Sequence, residues 1–230
     1  MKRSLFASVL ALSLLFFWIA SSPVSAEWFN DFYLGYIFPQ DQDAVFSTEN
    51  VKISEKVDFD NAFMLGYRIG YYFEGLPEVG LSIEGSYSEP DPDLASIVNT
   101  DMVDTELTLI PVTASLLLRL PLAVTPAFPK GRYQPYLGIG PTLYIARFEV
   151  GPYEDTTTTL GFQGKAGLTV MLSHRIGFFL EYRYDSVEDL EFDEHVQYPT
   201  FNPPGIATAR EQLKVDFTSS SGVIGLSYRF

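Results

Sequence analysis

From Asn61 to Phe73 the chain changes character at every residue. Phe63, Leu65, Tyr67, Ile69, Tyr71 and Phe73 share one parity, and Met64, Gly66, Arg68, Gly70 and Tyr72 the other. A period of two is that of an extended strand whose side chains point alternately to opposite faces. After Glu74-Gly75-Leu76-Pro77-Glu78 the alternation resumes, with Val79, Leu81, Ile83 and Gly85 against Gly80, Ser82, Glu84 and Ser86. A hairpin centred on Leu76 keeps the two runs in phase, setting Ile69 opposite Ile83 and Arg68 opposite Glu84. A second hairpin joins Leu160, Phe162, Gly164, Ala166, Leu168 and Val170 to Ile176, Phe178, Leu180, Tyr182 and Tyr184. A tight turn at Leu172-Ser173-His174 in its centre sets Lys165 opposite Glu181 on the polar face, which also carries Arg183 and Asp185.

Four further segments continue the pattern: Trp28 to Phe38, Glu106 to Leu118, Arg132 to Phe148 and Leu213 to Phe230. Together the segments make eight strands, an even number that can close on itself. Pro111 and Pro141 interrupt this reading, since proline donates nothing to a ladder and marks a bulge or a strand end. The apolar parity of the last segment changes from Leu213, Val215 and Phe217 to Ile224, Leu226 and Tyr228, which predicts a bulge near Ser219 to Ser221. Connections alternate between short (Glu74 to Glu78, Leu172 to His174), with a medium one at Arg119 to Gly131, and long (Pro39 to Asp60, Tyr87 to Thr105, Glu149 to Thr156, Asp185 to Gln212). The expected fold is therefore all-β: an eight-stranded antiparallel up-and-down transmembrane β-barrel, one domain over residues 27–230.

The N-terminus and the composition fix the setting. Lys2 and Arg3, the uncharged apolar run from Leu5 to Ala20 and the small residues Val24-Ser25-Ala26 form a secretory signal peptide over residues 1–26. No later apolar run approaches the roughly 20 residues of a membrane-spanning helix. Without cysteine there is no disulfide, thiolate metal site, Cys nucleophile or lipidated Cys. The formal net charge of -14 and the lack of a basic patch exclude nucleic acid as a partner.

Alternation alone does not tell a soluble barrel from a membrane barrel, which is its inverse. Here the polar parity is rich in Gly, Ser and Thr with a few charges of both signs, which suits a narrow, filled interior. The apolar parity carries Tyr71, Phe73, Tyr182, Tyr184, Tyr228 and Phe230 at strand ends, as an interfacial aromatic girdle does. With these features in place, Tyr136-Leu137-Gly138-Ile139-Gly140, Phe179-Leu180-Glu181-Tyr182-Arg183-Tyr184 and the terminal Gly225-Leu226-Ser227-Tyr228-Arg229-Phe230 resemble the OmpA-like outer membrane β-barrel domain family. The resemblance implies the cell outer membrane of a Gram-negative envelope, contact with its lipid and lipopolysaccharide, and a monomer. It also implies an assembly signal at Gly225, Tyr228 and Phe230 read by the barrel-assembly machinery. Val223 departs from the polar residue usual in that signal.

Candidate chemistry lies at two places. Of the 29 acidic residues, 22 fall in the long connections and their edges, beside only Lys52, Lys56, Arg210 and Lys214. Solvated acidic loops are the plain reading. Weak, loosely held calcium or magnesium, with contacts at Asp91, Asp93 and Asp101, is the sharper one, and the spacing is not that of an EF-hand. No cofactor is expected otherwise. His174 in a turn, and His195 beside Asp193 and Glu194, lack a nucleophile to activate, so the chain is read as no enzyme, a lipid-modifying activity being the least favoured alternative. The second place is the inward face, where Arg68, Glu84, Lys165, Glu181, Arg183 and Asp185 form luminal ion pairs. Charges there must be paired, because the interior of eight strands has room only for side chains. The functional expectation is a structural and surface-interaction role through long acidic extracellular loops, with a narrow porin-like channel gated by the luminal pairs as the alternative.

Overall fold

The structure is a computed structural model that describes residues 27–40, 42–48, 51–90, 92–93, 105–150, 153–201 and 204–230, with side chains described over 27–40, 60–90, 107–147, 156–187 and 217–230. The expected signal peptide lies outside these residues. Eleven strands follow in chain order: β1 Glu27–Pro39, β2 Gln42–Thr48, β3 Val51–Phe59, β4 Ala62–Tyr72, β5 Val79–Ser88, β6 Pro92–Asp93, β7 Thr105–Arg119, β8 Tyr133–Val150, β9 Tyr153–Met171, β10 Ile176–Phe201 and β11 Pro204–Arg229. Eight of them, β1, β4, β5, β7, β8, β9, β10 and β11, form a closed antiparallel barrel, the last pairing with the first from Phe29↔Arg229 to Pro39↔Ser219.

Period-two chemistry places the two faces as a membrane requires. Phe63, Leu65, Leu81, Ile83, Leu137, Ile139, Leu180 and Ile224 lie exposed on the outer wall, while Arg68, Glu84, Lys165, Glu181 and Arg183 are buried inside. Closure of the ladder on itself removes the free strand edges that hydrocarbon would leave unpaired. At the end carrying both termini, Trp28 packs on Tyr71 at 5.1 Å between ring centroids, Tyr71 on Phe73 at 5.4 Å and Tyr228 on Phe230 at 4.8 Å. Tyr36 and Phe63, 5.0 Å apart, sit toward the other end.

The hairpin centred on Leu76 has the expected register, with Arg68↔Glu84 and Ile69↔Ile83, and Phe73 N donating to Val79 O at 3.0 Å. The β9–β10 hairpin differs by two residues. Glu181 stands opposite Gly167, and Lys165 opposite Arg183, because Leu172 to Arg175 all belong to the turn. A shift of two preserves the side-chain faces, so the alternation does not report it.

The two prolines mark neither a bulge nor a strand end. Pro111 stays paired to Tyr144 on β8 while the β5–β7 ladder skips from Gly85↔Val112 to Ser88↔Leu109, and Pro141 stays paired to Phe162 while the β7–β8 ladder skips from Thr113↔Thr142 to Leu116↔Ile139. Each strand keeps its register because the missing N–H faces one neighbour only. The expected bulge at Ser219 to Ser221 is also absent, since Phe217, Ser219, Ser221 and Val223 all point inward in unbroken register. The irregularity lies instead on the partner strand, between Val187 and Leu190 of β10. What changes along β11 is the lumen itself, which is apolar where Phe217 enters it.

Three connections read from the sequence as loops are largely strands, the shortest being Glu149 to Thr156, where β8 and β9 pair as far as Val150↔Tyr153. β2 and β3 continue the β1–β4 hairpin in the same register, from Gln42↔Val57 to Thr48↔Val51, and β2 adds to β11 at Ala44↔Val215. β10 and β11 run 26 residues each and pair to Phe201↔Pro204. Spanning a bilayer takes about 9–11 residues of a tilted strand, so this hairpin projects far beyond it.

Candidate functional site

The lumen is filled in three tiers. At the end with the termini, Glu27 at the start of β1 receives Arg119 Nη2 at 2.5 Å, with Lys130 at 3.3 Å and Arg229 at 3.8 Å. Arg119 also donates Nε to Pro77 O at 2.8 Å and lies 3.7 Å from the Tyr72 ring centroid. The alternation puts Glu27, Arg119 and Arg229 on the inner parity, but their meeting depends on barrel closure, which joins β1 to β11.

The middle tier brings together five of the six charges singled out in the sequence, and adds one that was not, Asp31. Arg68 donates Nε to Glu84 Oε2 at 2.8 Å, Nη1 to Asp31 Oδ2 at 3.1 Å and Nη2 to Glu181 Oε1 at 2.7 Å. Arg183 reaches Glu181 Oε1 at 2.5 Å and Glu84 Oε2 at 3.3 Å. Lys165 pairs with Glu84 across the barrel rather than with Glu181 on the adjacent strand. Tyr136 donates its hydroxyl to Glu181 Oε2 at 2.6 Å, and the Arg183 guanidinium lies 4.2 Å from the Tyr33 ring centroid. Three cations thus meet three carboxylates in direct contact, each side chain at most 5 % exposed. Charges buried this deeply are tolerated only when every one is paired and hydrogen-bonded.

Asp185, the sixth charge, stands apart in the upper tier. Its Oδ1 accepts from Tyr144 Oη and from Gln163 Nε2, both at 2.9 Å, and among the described residues it forms no ion pair. Apolar side chains enter the lumen at this level: Ile37, Met64, Leu109, Val187 and Phe217 are all buried. The parity rule hides them, since it assigns apolar residues to the lipid face.

Glycines set the close approaches. A Cβ on Gly225 would meet Phe32 O at 2.4 Å and the Phe179 ring at 2.6 Å, and one on Gly140 would meet Ala114 O at 1.8 Å. Gly138 likewise faces Lys165 and Leu117 inside the barrel. Val223, the departure from the usual terminal pattern, is fully buried in a cluster with Tyr33, Ile37, Met64 and Phe179. Tyr228 faces outward, and Phe230 donates its backbone N–H to Trp28 O at 3.0 Å. His174 sits in the β9–β10 turn, 6.2 Å from the Phe128 ring. Asp91 and Asp101 lie outside the described residues, and only the backbone of Asp93 and of His195 is described. Among the described residues no group of three or more His, Asp or Glu is arranged to hold a metal ion.

An inverted barrel with an ion-paired interior defines an integral outer membrane protein. The chain belongs to the outer membrane protein beta-barrel domain family, whose profile matches residues 10–230, and its place is the outer membrane. Among solved structures it is similar to the outer membrane protein OprG of Pseudomonas aeruginosa, at 16% identity over 90% of this chain and 96% of that one, with a TM-score of 0.61. It is also similar to a major outer membrane protein of Thermus thermophilus, at 11% identity over 90% of this chain and 100% of that one, with a TM-score of 0.50. Comparison with curated protein sequences gives no match. At such identities the likeness is one of fold.

Proposed function

We propose that this protein is a plugged outer membrane scaffold, without enzymatic activity, that holds long acidic hairpins outside the cell while its termini face the periplasm. The observation that carries the reading is the middle tier. Arg68 binds Glu181 from 113 residues away and Lys165 binds Glu84 from 81 residues away, so the contacts cross the lumen instead of lining it and leave no path for a hydrated ion. The surface role rests on the extended β10–β11 hairpin and on the acidic composition of the long connections. Divalent cations bridging those carboxylates to anionic lipopolysaccharide are part of the proposal, and the terminal Gly225, Tyr228 and Phe230 serve as its assembly signal.

Planar-bilayer recording of the purified protein tests the plug. Wild-type protein gives no resolved conductance steps, and Glu84→Gln, which strips three cations of a shared partner, introduces them. Steady conductance of the wild type would overturn the scaffold reading. A gated pore is favoured by one observation, the sharing of Glu84 among Arg68, Lys165 and Arg183, which lets one cation leave without stranding the carboxylate. That reading predicts intermittent, voltage-dependent steps in the wild type.

A further inference from the structure

At the end with the termini, the exposed acids and the exposed arginines of the turns lie on opposite sides. Glu74 and Glu78 belong to the β4–β5 turn, which is tied to β7 by Arg119 N donating to Glu78 O at 2.7 Å. Arg132 and Arg175 lie across the β7–β8 connection, where the start of β8 meets the β9–β10 turn. Neighbouring strands fix both backbones, with Met171 N donating to Arg132 O at 2.8 Å and Arg229 N to Arg175 O at 2.7 Å. The two side chains are exposed, and among the described residues neither forms an ion pair. The Arg132 guanidinium lies 5.5 Å from the Phe128 ring centroid and 5.9 Å from that of Tyr133. Phe128 also meets His174, the residue before Arg175, at 6.2 Å between ring centroids.

The surface around this cluster is apolar. Leu120, Leu122 and Val124 of the β7–β8 connection are exposed, as are Tyr133, Leu172 and Ile176. A bridge between Leu122 and Tyr133 carries the ladder out to them, so the lipid-facing wall continues to the rim. Cations bordering such a wall stand at the depth of lipid headgroups. We propose that Arg132 and Arg175, with His174 beside them, bind the phosphate of an anionic phospholipid whose acyl chains lie against Tyr133, Leu172 and Ile176. A guanidinium presents a planar fork of N–H donors that matches phosphate oxygens. The net charge of -14 gives the whole chain no general attraction for anionic lipid, so a preference has to come from a local site. A soluble anion would meet the same guanidinium groups but gain nothing from the apolar flank. The orientation proposed above decides only that the periplasmic leaflet supplies the lipid, and binding does not depend on whether the lumen conducts.

Native mass spectrometry tests the site on protein purified from outer membranes and released from detergent micelles. The micelles contain equal amounts of phosphatidylglycerol and phosphatidylcholine with identical acyl chains. Because micelles have no leaflets, the result is independent of the orientation and of the plug. The wild type retains phosphatidylglycerol over phosphatidylcholine by roughly twentyfold, about fivefold for each arginine. Arg132→Gln or Arg175→Gln removes one such factor, and the double variant loses the preference while keeping the gel shift of a folded barrel. Arg147→Gln, the same loss of charge toward the other end of β8, leaves the ratio unchanged. Inorganic phosphate displaces no more lipid than sodium chloride of equal ionic strength. Equal retention of the two lipids by the wild type, a preference that survives in the double variant, or one lost equally in Arg147→Gln would overturn the proposal. Specific displacement by inorganic phosphate would make this a site for the free anion and overturn the lipid assignment.

Discussion

Glu84 contacts three cations, whereas Lys165 pairs with no other carboxylate among the described residues. The two ends of one ion pair therefore differ in what their loss leaves behind. Glu84→Gln strands a buried ammonium and leaves Arg68 and Arg183 with Glu181 as their shared support at this level, so it destabilises the folded barrel by about 3–5 kcal/mol. Lys165→Met removes one partner of a carboxylate that keeps two others, and costs measurably less. Urea unfolding in lipid vesicles, followed by the heat-modifiable gel shift, ranks them, and a ranking in the reverse order would contradict the assigned contacts. The sequence marks Arg68, Glu84, Lys165, Glu181, Arg183 and Asp185 as inward by parity, yet it pairs Lys165 with Glu181. A hairpin slip of two residues leaves every side chain on its face, and a contact between β5 and β9 requires barrel closure, which no local pattern encodes.

At the level of elements, the prolines and glycines of β7 and β8 decide how closely two strands can run. Gly140 lies where the β7–β8 ladder is interrupted next to Pro141, and its absent side chain leaves space for Ala114 O. Gly140→Ala forces backbone apart and is expected to abolish assembly or lower stability by several kcal/mol, overriding the roughly 0.5–1 kcal/mol by which alanine is ordinarily favoured over glycine in a strand. Gly222→Ala, on the outer wall with nothing within 4 Å of the added carbon, is expected to be neutral or slightly stabilising. Yields of heat-modifiable protein in the outer membrane compare the two. The eight barrel strands were legible because lipid on one side and a filled lumen on the other enforce a strict period of two. The extension of β10 and β11 to Phe201 and Pro204 was not, since along that stretch of sequence the strict alternation fades into acidic and polar residues.

For the whole molecule, location and adhesion are the measurable properties. The protein is expected to fractionate with outer membranes and to migrate faster unheated than boiled in detergent gels, as a closed barrel does. Removal of Phe230 lowers that folded fraction if the terminal segment acts as the assembly signal, and an undiminished yield would show that it does not. With 21 carboxylates in the long connections and their edges once the luminal Asp185 is set apart from the 22, a chelator is expected to weaken association with lipopolysaccharide in a salt-sensitive manner. Indifference to both chelator and salt would leave the acidity as solvation only.

The charged middle tier also dictates how the chain reaches its membrane. The β4–β5 hairpin brings Arg68 and Glu84, β9 and β10 bring Lys165, Glu181 and Arg183, and β1 brings Asp31. Arg68 with Glu84 and Arg183 with Glu181 travel as pairs within their own hairpins, but the β9–β10 hairpin would carry Lys165 into hydrocarbon without Glu84, its one carboxylate partner among the described residues, at a cost of several kcal/mol. Stepwise insertion, one hairpin after another, is therefore blocked by the same residues that stabilise the finished protein. The barrel has to close as it enters, and its folding in lipid vesicles should show a single concerted phase with no inserted half-barrel, one that becomes divisible into steps when the tier is neutralised as a set.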